Sequence, residues 1–377
     1  MINAKEIKEH PLRQIDWDFK NSNKSLSIHS IHPYPAKFIP EIPRAIIENI
    51  SFPDRTAILD PFCGSGVTLL ESQIAGHESF GVDLNPIACL ISKIKTGNSL
   101  PENLKNKSLE LVFNSKQNVK NVKIPDIPNL NHWFKKGVQL ALATLTDQIF
   151  KTKDLTLKEI YKVAVSSIIV KVSNQDSDTR YAAVSKDVDY DLVFDLFLNS
   201  IDRLIKFIPK NKKNRQQSTI LNKNILELDV KLINRPIGLV VTSPPYPNAY
   251  EYWLYHKYRM WWLGYDPIDV KNKEIGARAH YFKKNHQTAA DFETQMNQIF
   301  YKLSQLVVND GKVIMVTGNS KIHGEIIANE TIIANAGKLN GFVLDDIITR
   351  NMNSNRKSFN LNHARIKQEH IVILRKV

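Results

Sequence analysis

The sequence has very little cysteine and no long hydrophobic run. Cys63 and Cys89 are the only cysteines among 377 residues, too few for a disulfide framework or a cysteine-based zinc site. No stretch approaches the roughly 20 apolar residues of a membrane-spanning helix, and residues 1–20 lack the apolar core of a secretory signal. Repeats of fixed period and low-complexity tracts are also missing. We therefore expect a soluble protein of the reduced cytoplasm, with no membrane partner and no metal site.

Acidic residues are fewer than basic ones. The chain has 51 Lys+Arg against 38 Asp+Glu, a formal net charge of +13, and 42% of its residues are hydrophobic. This hydrophobic share is enough for a buried core and excludes a disordered or collagen-like protein. The positive excess favours a polyanionic partner, nucleic acid or an anionic membrane surface, although charge alone fits a solvated surface equally well.

Short apolar runs alternate with helical stretches in two parts of the chain. TAILD at 56–60 and SFGVD at 79–83 have the pattern of buried parallel strands, and VTLLESQIAG between them has helical spacing. A second block from residue 218 contains STIL, IGLVVT and GKVIMVTGN, and it closes with the pair FVLDDIITRN and EHIVILRK. This order predicts an α/β protein with a doubly wound, Rossmann-like sheet that ends in an antiparallel hairpin.

Residues 99–217 have a different pattern. Helical periodicity in HWFKKGVQLALATLTDQIF, LTLKEIYKVAVSSIIVKV and VFDLFLNSIDRLIKFI predicts an inserted helical subdomain. A connector rich in Pro, Asn and Lys, Pro101 to Pro128, opens this insert, and a basic stretch, Arg203 to Arg215, closes it. We therefore predict one main domain formed by residues 1–98 and 218–377, which the insert interrupts.

A glycine-rich turn follows the first predicted strand. Residues 60–66 read DPFCGSG, and glycines at a strand-to-helix turn let the backbone approach a ligand closely. The next strand ends at Asp83, where a carboxylate accepts hydrogen bonds from ribose hydroxyls. A dinucleotide fingerprint would have a third glycine where Leu69 stands. The pattern predicts a nucleoside cofactor without a required pyrophosphate, and a tight turn without a ligand is the alternative.

A Ser-Pro-Pro-Tyr sequence follows the predicted strand IGLVVT. Two prolines fix two successive φ angles and hold Ser243 extended, so residues 243–246 form a stiff loop at the carboxyl end of a strand. The loop offers a hydroxyl and carbonyl oxygens as acceptors beside an aromatic ring, at the edge where α/β sheets bind ligands. These groups suit a flat heterocycle with an exocyclic amine. A rigid turn into a helix is the alternative.

Together, these motifs resemble those of the S-adenosylmethionine-dependent amino-methylating DNA methyltransferases, in particular the cytosine-N4 type. DPFCGSG is similar to the cofactor loop of that family, GVDLNPIA to its ribose-binding strand end and TSPPY to its catalytic loop. IHPYPAKFIP resembles the segment that closes over the methionine part of the cofactor, and ILNKNILEL resembles the third cofactor motif, with Asn224 where an Asp is often found. The resemblance covers residues 28–98 and 218–377. It implies S-adenosyl-L-methionine as cofactor and double-stranded DNA as substrate.

The resemblance also implies which residues form the site. The catalytic loop would use Ser243 and the carbonyl of Pro244 or a neighbour to accept the hydrogens of the target amine, with Tyr246 stacking on a base flipped out of the duplex. Phe62 would face the sulfonium. The expected catalytic residues are Ser243, Pro244, Pro245 and Tyr246, and the expected cofactor-binding residues are Tyr34, Lys37, Asp60, Phe62, Gly64, Ser65, Gly66, Asp83, Leu84 and Asn224.

The target base and the biological setting leave alternatives open. Ser243 as the first residue of the tetrapeptide favours cytosine N4, whereas Asp or Asn would favour adenine N6. The cofactor loop precedes the catalytic loop here, and many cytosine-N4 enzymes have the reverse order. An adenine-N6 enzyme, an RNA amino-methyltransferase and an inert DNA-binding subunit are the other candidates. By resemblance we expect a part of a restriction-modification or related defence system, with a cognate restriction endonuclease or other components of such a system as partners.

Basic and aromatic segments supply candidates for DNA contact. PNAYEYWLYHKYRMWWLGYDP interleaves aromatics with Lys257 and Arg259, as stacking and phosphate contact require, and packing of these aromatics into the core is the alternative. We expect phosphate contacts from Lys271–Lys284 and Arg203–Arg215. SNQDSDTRY at 173–181 indicates either a base-reading patch or a hydrogen-bonded helix corner. For the insert, 99–217, we expect a role in target recognition or DNA clamping.

Overall fold

A seven-stranded sheet forms the centre of the molecule. The structure, a computed structural model, describes residues 10–19, 27–97, 100–180, 182–209, 215–248, 250–282, 286–351 and 368–377. The strands are β1 (Ala57–Asp60), β2 (Ser79–Asp83), β3 (Ser218–Asn222), β4 (Ile237–Thr242), β5 (Val307–Gly318), β6 (Ser320–Ile322), β7 (Glu325–Ile327), β8 (Phe342–Asn351) and β9 (Gln368–Lys376). Strands β6 and β7 form a separate small hairpin.

The helices fall into three groups along the chain. Before and between the first strands lie α1 (Glu41–Asn49), α2 (Val67–Ile74) and α3 (Pro86–Thr96). The long segment between β2 and β3 also holds α4 (Leu104–Gln117), α5 (Leu130–Trp133), α6 (Lys136–Lys151), α7 (Leu155–Val172) and α8 (Tyr190–Phe207). After β4 come α9 (Tyr252–Trp262), α10 (Pro267–Lys273), α11 (Ala289–Leu306) and α12 (Asn329–Leu339). Among the residues described, no helix has the length and apolar character needed to cross a bilayer.

The order of the strands confirms the predicted doubly wound sheet. Neighbours follow the order β3-β2-β1-β4-β5-β9-β8, and the first five of these strands are parallel. β9 is antiparallel to both β5 and β8, which is the predicted terminal hairpin. Every residue of β1 and β4 is buried, because helices cover both faces of a parallel sheet.

Two hydrophobic cores, one on each face, hold the sheet. On one face, Ile46 of α1 packs with Val241 and Ile314. On the other, Phe300 of α11 and Ile333 of α12 pack against strand residues that include Val240, Met315 and Leu374. The carboxyl ends of β1, β2 and β4 are left between these layers, where α/β proteins bind ligands.

The predicted helical insert shares its core with the helices of the sheet domain. Ile91 of α3, Leu142 of α6, Ile168 of α7, Phe197 of α8 and Trp262 of α9 belong to one continuous hydrophobic cluster. The helices of the insert therefore pack directly on α3 and α9 rather than around a separate core. The expected role of residues 99–217 in target recognition or DNA clamping stays a prediction.

The stretch from Pro101 to Pro128, predicted as a connector, is helical for half of its length. Helix α4 occupies this stretch and buries Leu104, Ser108, Leu111, Val112 and Ser115 on one face. Two of these five positions are serines, whose hydroxyls donate to carbonyls four residues earlier, at Leu104 and Leu111. The buried face is therefore only partly apolar, and the periodicity that identifies an amphipathic helix is weak.

We expect Arg259→Met to lower the free energy of unfolding by about 3 kcal/mol, because Asp178 and two carbonyls would lose their donor. Arg259 is fully buried on α9, where it pairs with Asp178 of the insert and donates to the carbonyls of Ser166 (2.9 Å) and Tyr255 (2.9 Å). Denaturant titration measures the change. Lys135→Met is the control, since its pair with the fully exposed Asp187 spans 4.0 Å and should contribute little to stability. Equal midpoints for both variants would contradict a structural role of the buried pair.

Candidate functional site

A cleft opens at the carboxyl edge of the sheet, between the ends of β1, β2 and β4. It encloses about 950 Å³, including the part that is open to solvent, which suits a ligand of nucleoside size. Ser243 and Pro245 lie on its wall, as do nine of the ten predicted cofactor residues: Tyr34, Lys37, Asp60, Phe62, Gly64, Ser65, Asp83, Leu84 and Asn224. The tenth, Gly66, is the N-cap of α2. The structure thus brings the two sequence motifs to one cavity.

The glycine-rich turn is held in place by backbone conformation and by α3. Gly64 and Gly66 have φ values of 48° and 72°, in the left-handed region that glycine adopts without strain. A Cβ on Gly66 would lie 2.7 Å from the hydroxyl oxygen of Ser92, so the turn has no room for a side chain there. The Ser92 hydroxyl donates to the carbonyl of Gly64 at 2.8 Å. Gly66 is therefore required by space as well as by conformation, whereas Gly64 is favoured by its left-handed φ alone.

Asp83 connects the end of β2 to the glycine-rich turn. Its Oδ2 accepts a hydrogen bond from the Gly64 amide (2.8 Å), and its Oδ1 accepts one from the Asn85 amide (2.8 Å). Each carboxylate oxygen retains a further lone pair for a ligand in the cleft. This arrangement is compatible with the predicted acceptance of ribose hydroxyls.

The carboxyl groups of Asp60 and Asp83 in the cleft have raised pKa values. Burial raises the pKa of Asp60 to about 6 and that of Asp83 to about 6, against the opposing effect of their hydrogen bonds. The donors to Asp60 include the Thr242 hydroxyl (2.6 Å) and the Phe62 amide (3.1 Å). A cationic or hydroxyl-bearing ligand would favour the ionised forms of both groups.

The segment before α1 forms one side of the cleft. The Tyr34 ring stacks on that of Tyr252, with centroids 6.2 Å apart and planes at 25°. Lys37 donates from Nζ to the carbonyls of His29 (2.9 Å) and His32 (2.7 Å). The lysine therefore fixes the path of its own segment while it lies on the cleft wall.

Asn224 occupies a capping position at the third predicted motif. Its Oδ1 accepts a hydrogen bond from the Leu226 amide (3.1 Å), at the start of a 3₁₀ turn over Ile225–Glu227. An Asp side chain could accept the same bond, so the departure from the family pattern leaves the turn intact. The turn places Ile225 beside Asn224 on the cleft wall.

The members of the predicted catalytic loop have different surroundings. Ser243 and Pro245 line the cleft, whereas Pro244 and Tyr246 are not among its lining residues. Tyr246 is 8% exposed, and its hydroxyl lies 3.4 Å from Ser243 Oγ, from the Val316 carbonyl and from Glu369 Oε1. The expected stacking of Tyr246 on a target base stays a prediction.

Glu274 is a residue of the cleft that sequence reasoning missed. Its two carboxylate oxygens accept hydrogen bonds from the amides of Tyr252 (2.9 Å) and Trp253 (2.8 Å) at the start of α9. Burial raises the pKa of Glu274 to about 8. The sequence could have pointed to this residue, because Glu274 is the one acidic residue in the basic segment Lys271 to His286.

The helix after the catalytic loop is mainly a core helix. Trp253, Tyr258 and Trp262 are at most 8% exposed, as the alternative interpretation of this aromatic segment required. The prediction that Arg259 is available to phosphate was wrong, because this side chain is buried and paired with Asp178. The other predicted phosphate contacts lie partly outside the described residues, namely positions 210–214, Lys283 and Lys284.

The polar segment at 173–181 forms a hydrogen-bonded corner. Gln175 is buried and donates from Nε2 to the Ser177 carbonyl (2.7 Å), and Asn174 donates to the His132 carbonyl (2.8 Å). Asp178 pairs with Arg259. These contacts favour the corner interpretation over a base-reading patch for the described part, while Tyr181 lies outside it.

Comparison with known proteins finds one matching family model and several similar sequences. The N6/N4 DNA methylase family model matches residues 3–93. The chain is 29% identical to Type II methyltransferase M.MvaI of Kocuria varians over 61% of its length and 56% of that relative. It is 24% identical to Type II methyltransferase M.BsoBI of Geobacillus stearothermophilus over 66% of its length and 55% of that relative.

A third similarity is shorter. Type II methyltransferase M.MjaII of Methanocaldococcus jannaschii is 32% identical over 31% of this chain and 23% of its own length. The chain spans about half the length of the first two relatives. The match of the family model and the similarity to these three relatives agree with the motifs that line the cleft, which resemble those of the amino-methylating DNA methyltransferases.

Proposed function

We propose that this protein transfers a methyl group from S-adenosyl-L-methionine to the exocyclic N4 amine of a cytosine flipped out of duplex DNA. The observation that carries the proposal is the meeting of the two motifs, since Asp60 and Asp83 of the cofactor side and Ser243 of the catalytic loop line one cleft. Asp60 is the last residue of β1, and Ser243 directly follows the neighbouring strand β4. Cofactor and target base would thus meet at one edge of the sheet.

The residues present fit S-adenosylmethionine. The Gly64 and Gly66 turn brings backbone close to the cavity, and Asp83 has lone pairs for ribose hydroxyls. The aromatic rings of Tyr34, Phe62 and Tyr252 line the same space, where a sulfonium cation gains from the negative faces of the rings. The buried carboxyl groups of Asp60 and Asp83 favour a cationic ligand on electrostatic grounds.

In the proposed reaction a sulfur–carbon bond breaks while a nitrogen–carbon bond forms, and the amine releases one proton. The cofactor supplies the electrophilic methyl group when bound. Ser243 Oγ and a carbonyl of the Pro244–Pro245 pair would accept the two amine hydrogens, which directs the nitrogen lone pair at the methyl group. The stiff proline loop limits the motion of these acceptors. No protein nucleophile is needed.

Cytosine N4 is proposed over adenine N6 because serine stands at position 243. The test is methylation of a mixed-sequence duplex, digestion to nucleosides and mass spectrometry. N4-methylcytosine would support the proposal. N6-methyladenine alone would show that the target base is adenine, and methyl transfer to an exocyclic amine would remain the proposed reaction. If the products carry no methyl group, or if only RNA is methylated, the proposed function is wrong.

We also propose that the protein protects a specific DNA sequence within a restriction-modification or related defence system. The support is the similarity to three proteins named Type II methyltransferases. Sequencing of DNA from cells that express the chain identifies the modified site. Modification of one short sequence throughout the genome is expected, and sequence-independent methylation would contradict a protective role.

The affinity for S-adenosylmethionine should fall as the pH drops below about 6. Asp60 and Asp83 have pKa values of about 6. Below that pH their carboxyl groups are protonated, so each one loses its charge and part of its capacity to accept hydrogen bonds from the cofactor. The dissociation constant should rise up to about tenfold per pH unit for each group that must ionise. Calorimetry from about pH 5 to about pH 8.5 measures this, with Asp83→Asn expected to reduce the dependence. A dependence centred near pH 8 would assign the effect to Glu274 instead.

A further inference from the structure

Helices α9 and α10 place two lysines over aromatic rings. Lys257 Nζ lies 5.1 Å from the ring centroid of Tyr258 and 5.8 Å from that of Trp261. Lys271 Nζ lies 4.7 Å from the ring centroid of Trp253. Both lysines are half-buried, so their positive charges are partly removed from water. Cation–π contacts offset part of this desolvation.

Lys257 lies one helical turn after Trp253, the residue whose ring Lys271 covers, so both ammonium groups lie near one face of α9 and repel one another. Burial, and next the charge of Lys271, lower the pKa of Lys257 to about 8, while the nearby Glu251 acts in the opposite direction. Two like charges in a partly desolvated environment are a ready site for an anion, because its charge would relieve their repulsion.

This lysine pair borders the proposed active site. Val270, next to Lys271 in the chain, lines the cleft. The amide of Trp253 is bound by Glu274, which lines the cleft as well. The pair therefore lies on α9 and α10, the two helices after the catalytic loop that contribute Tyr252 and Val270 to the cleft wall.

We propose that Lys257 and Lys271 jointly bind one phosphate group of the DNA backbone beside the target nucleotide. The inference rests on the proposed function in taking duplex DNA as the substrate. An ammonium group has three donors and no acceptor, so two of them match the several oxygens of one phosphate. Phosphate contacts position a protein on a duplex, and this contact would hold the target nucleotide at the cleft.

The test uses Lys257→Met, Lys271→Met and the double variant, because methionine keeps an apolar stem on the aromatic rings. The dissociation constant for a duplex is measured over a series of salt concentrations. If both lysines share one phosphate, the slope of log K against log salt should become shallower by about 1 in the double variant and by less than that in each single variant. A change of about 2 in the double variant would mean two separate phosphates and overturn the shared site.

Lys338→Met on the exposed face of α12 is the matched control and should leave the slope unchanged. Thermal unfolding checks that all variants are folded. The losses should be equal for unrelated duplexes, since phosphates carry no sequence information. Loss on one sequence only, an unchanged slope, or no salt-dependent binding by the parent protein would each overturn the proposal. Methyl transfer is measured separately. If the protein binds DNA through these lysines but does not methylate it, the proposed function is refuted and the phosphate site is retained.

Discussion

Ser243→Ala should slow methyl transfer about 100-fold and leave the affinity for S-adenosylmethionine unchanged. The Ser243 hydroxyl lies on the cleft wall, 3.4 Å from the Tyr246 hydroxyl. Removing a positioned group that acts on the reacting atoms costs on the order of 100-fold in rate. Single-turnover assays with labelled cofactor measure the transfer step, and calorimetry measures cofactor binding.

Ser304→Ala is a suitable comparison for that variant. Ser304 lies on α11, and its hydroxyl donates to the Tyr301 carbonyl of its own helix (2.8 Å). Its loss should leave the transfer rate within about twofold, because a surface hydrogen bond contributes little to stability or to the site. If Ser243→Ala retained the parent rate, the hydroxyl would have no part in directing the amine.

Asp83→Ala should weaken S-adenosylmethionine binding about 100-fold, which corresponds to about 2.8 kcal/mol. The variant loses the acceptors of two backbone amides, those of Gly64 and Asn85, together with the proposed acceptor of the ribose hydroxyls. Hydrogen bonds to a charged group are worth about 1.5–3 kcal/mol each, so the loss exceeds that of one ordinary contact. Calorimetric titration measures the affinity.

Asp83→Asn separates the two parts of this effect. The amide oxygen of Asn keeps one acceptor but removes the charge, so we expect an intermediate loss of affinity. Asp187→Ala, at a fully exposed position, should bind the cofactor like the parent protein. Unchanged binding by Asp83→Ala would show that the ribose is held elsewhere.

Much of the sheet and of the cofactor side of the cleft could be predicted from sequence. Strands β1, β2 and β4 are short apolar runs that are buried on both faces, and their carboxyl ends carry the motifs. Because these ends meet at one edge of a parallel sheet, the sequence order alone places Asp60, Asp83 and Ser243 near one another. The closing antiparallel pair, β8 and β9, is predictable for a different reason, because both strands are long runs of residues that favour β-structure.

Other features depend on contacts between distant parts of the chain. From the sequence, Arg259 is a candidate for phosphate contact. In the structure it pairs with Asp178, which lies far away in the sequence, in the insert. Glu274 joins the cleft only because α10 folds back against the start of α9. Helix α4 was missed because serines occupy part of its buried face. No local pattern reports such partners.

The position of β9 has a consequence for how the protein is made. β9 lies between β5 and β8, although it follows both in the chain. During synthesis, β5 and β8 therefore emerge with exposed edges that can pair with other chains until residues 368–376 are available. We expect nascent chains that end before residue 368 to aggregate rather than to fold into a smaller sheet. The insertion of β9 between β5 and the edge strand β8 then completes the sheet, so folding of β1, β2 and β4 is separable from that completion.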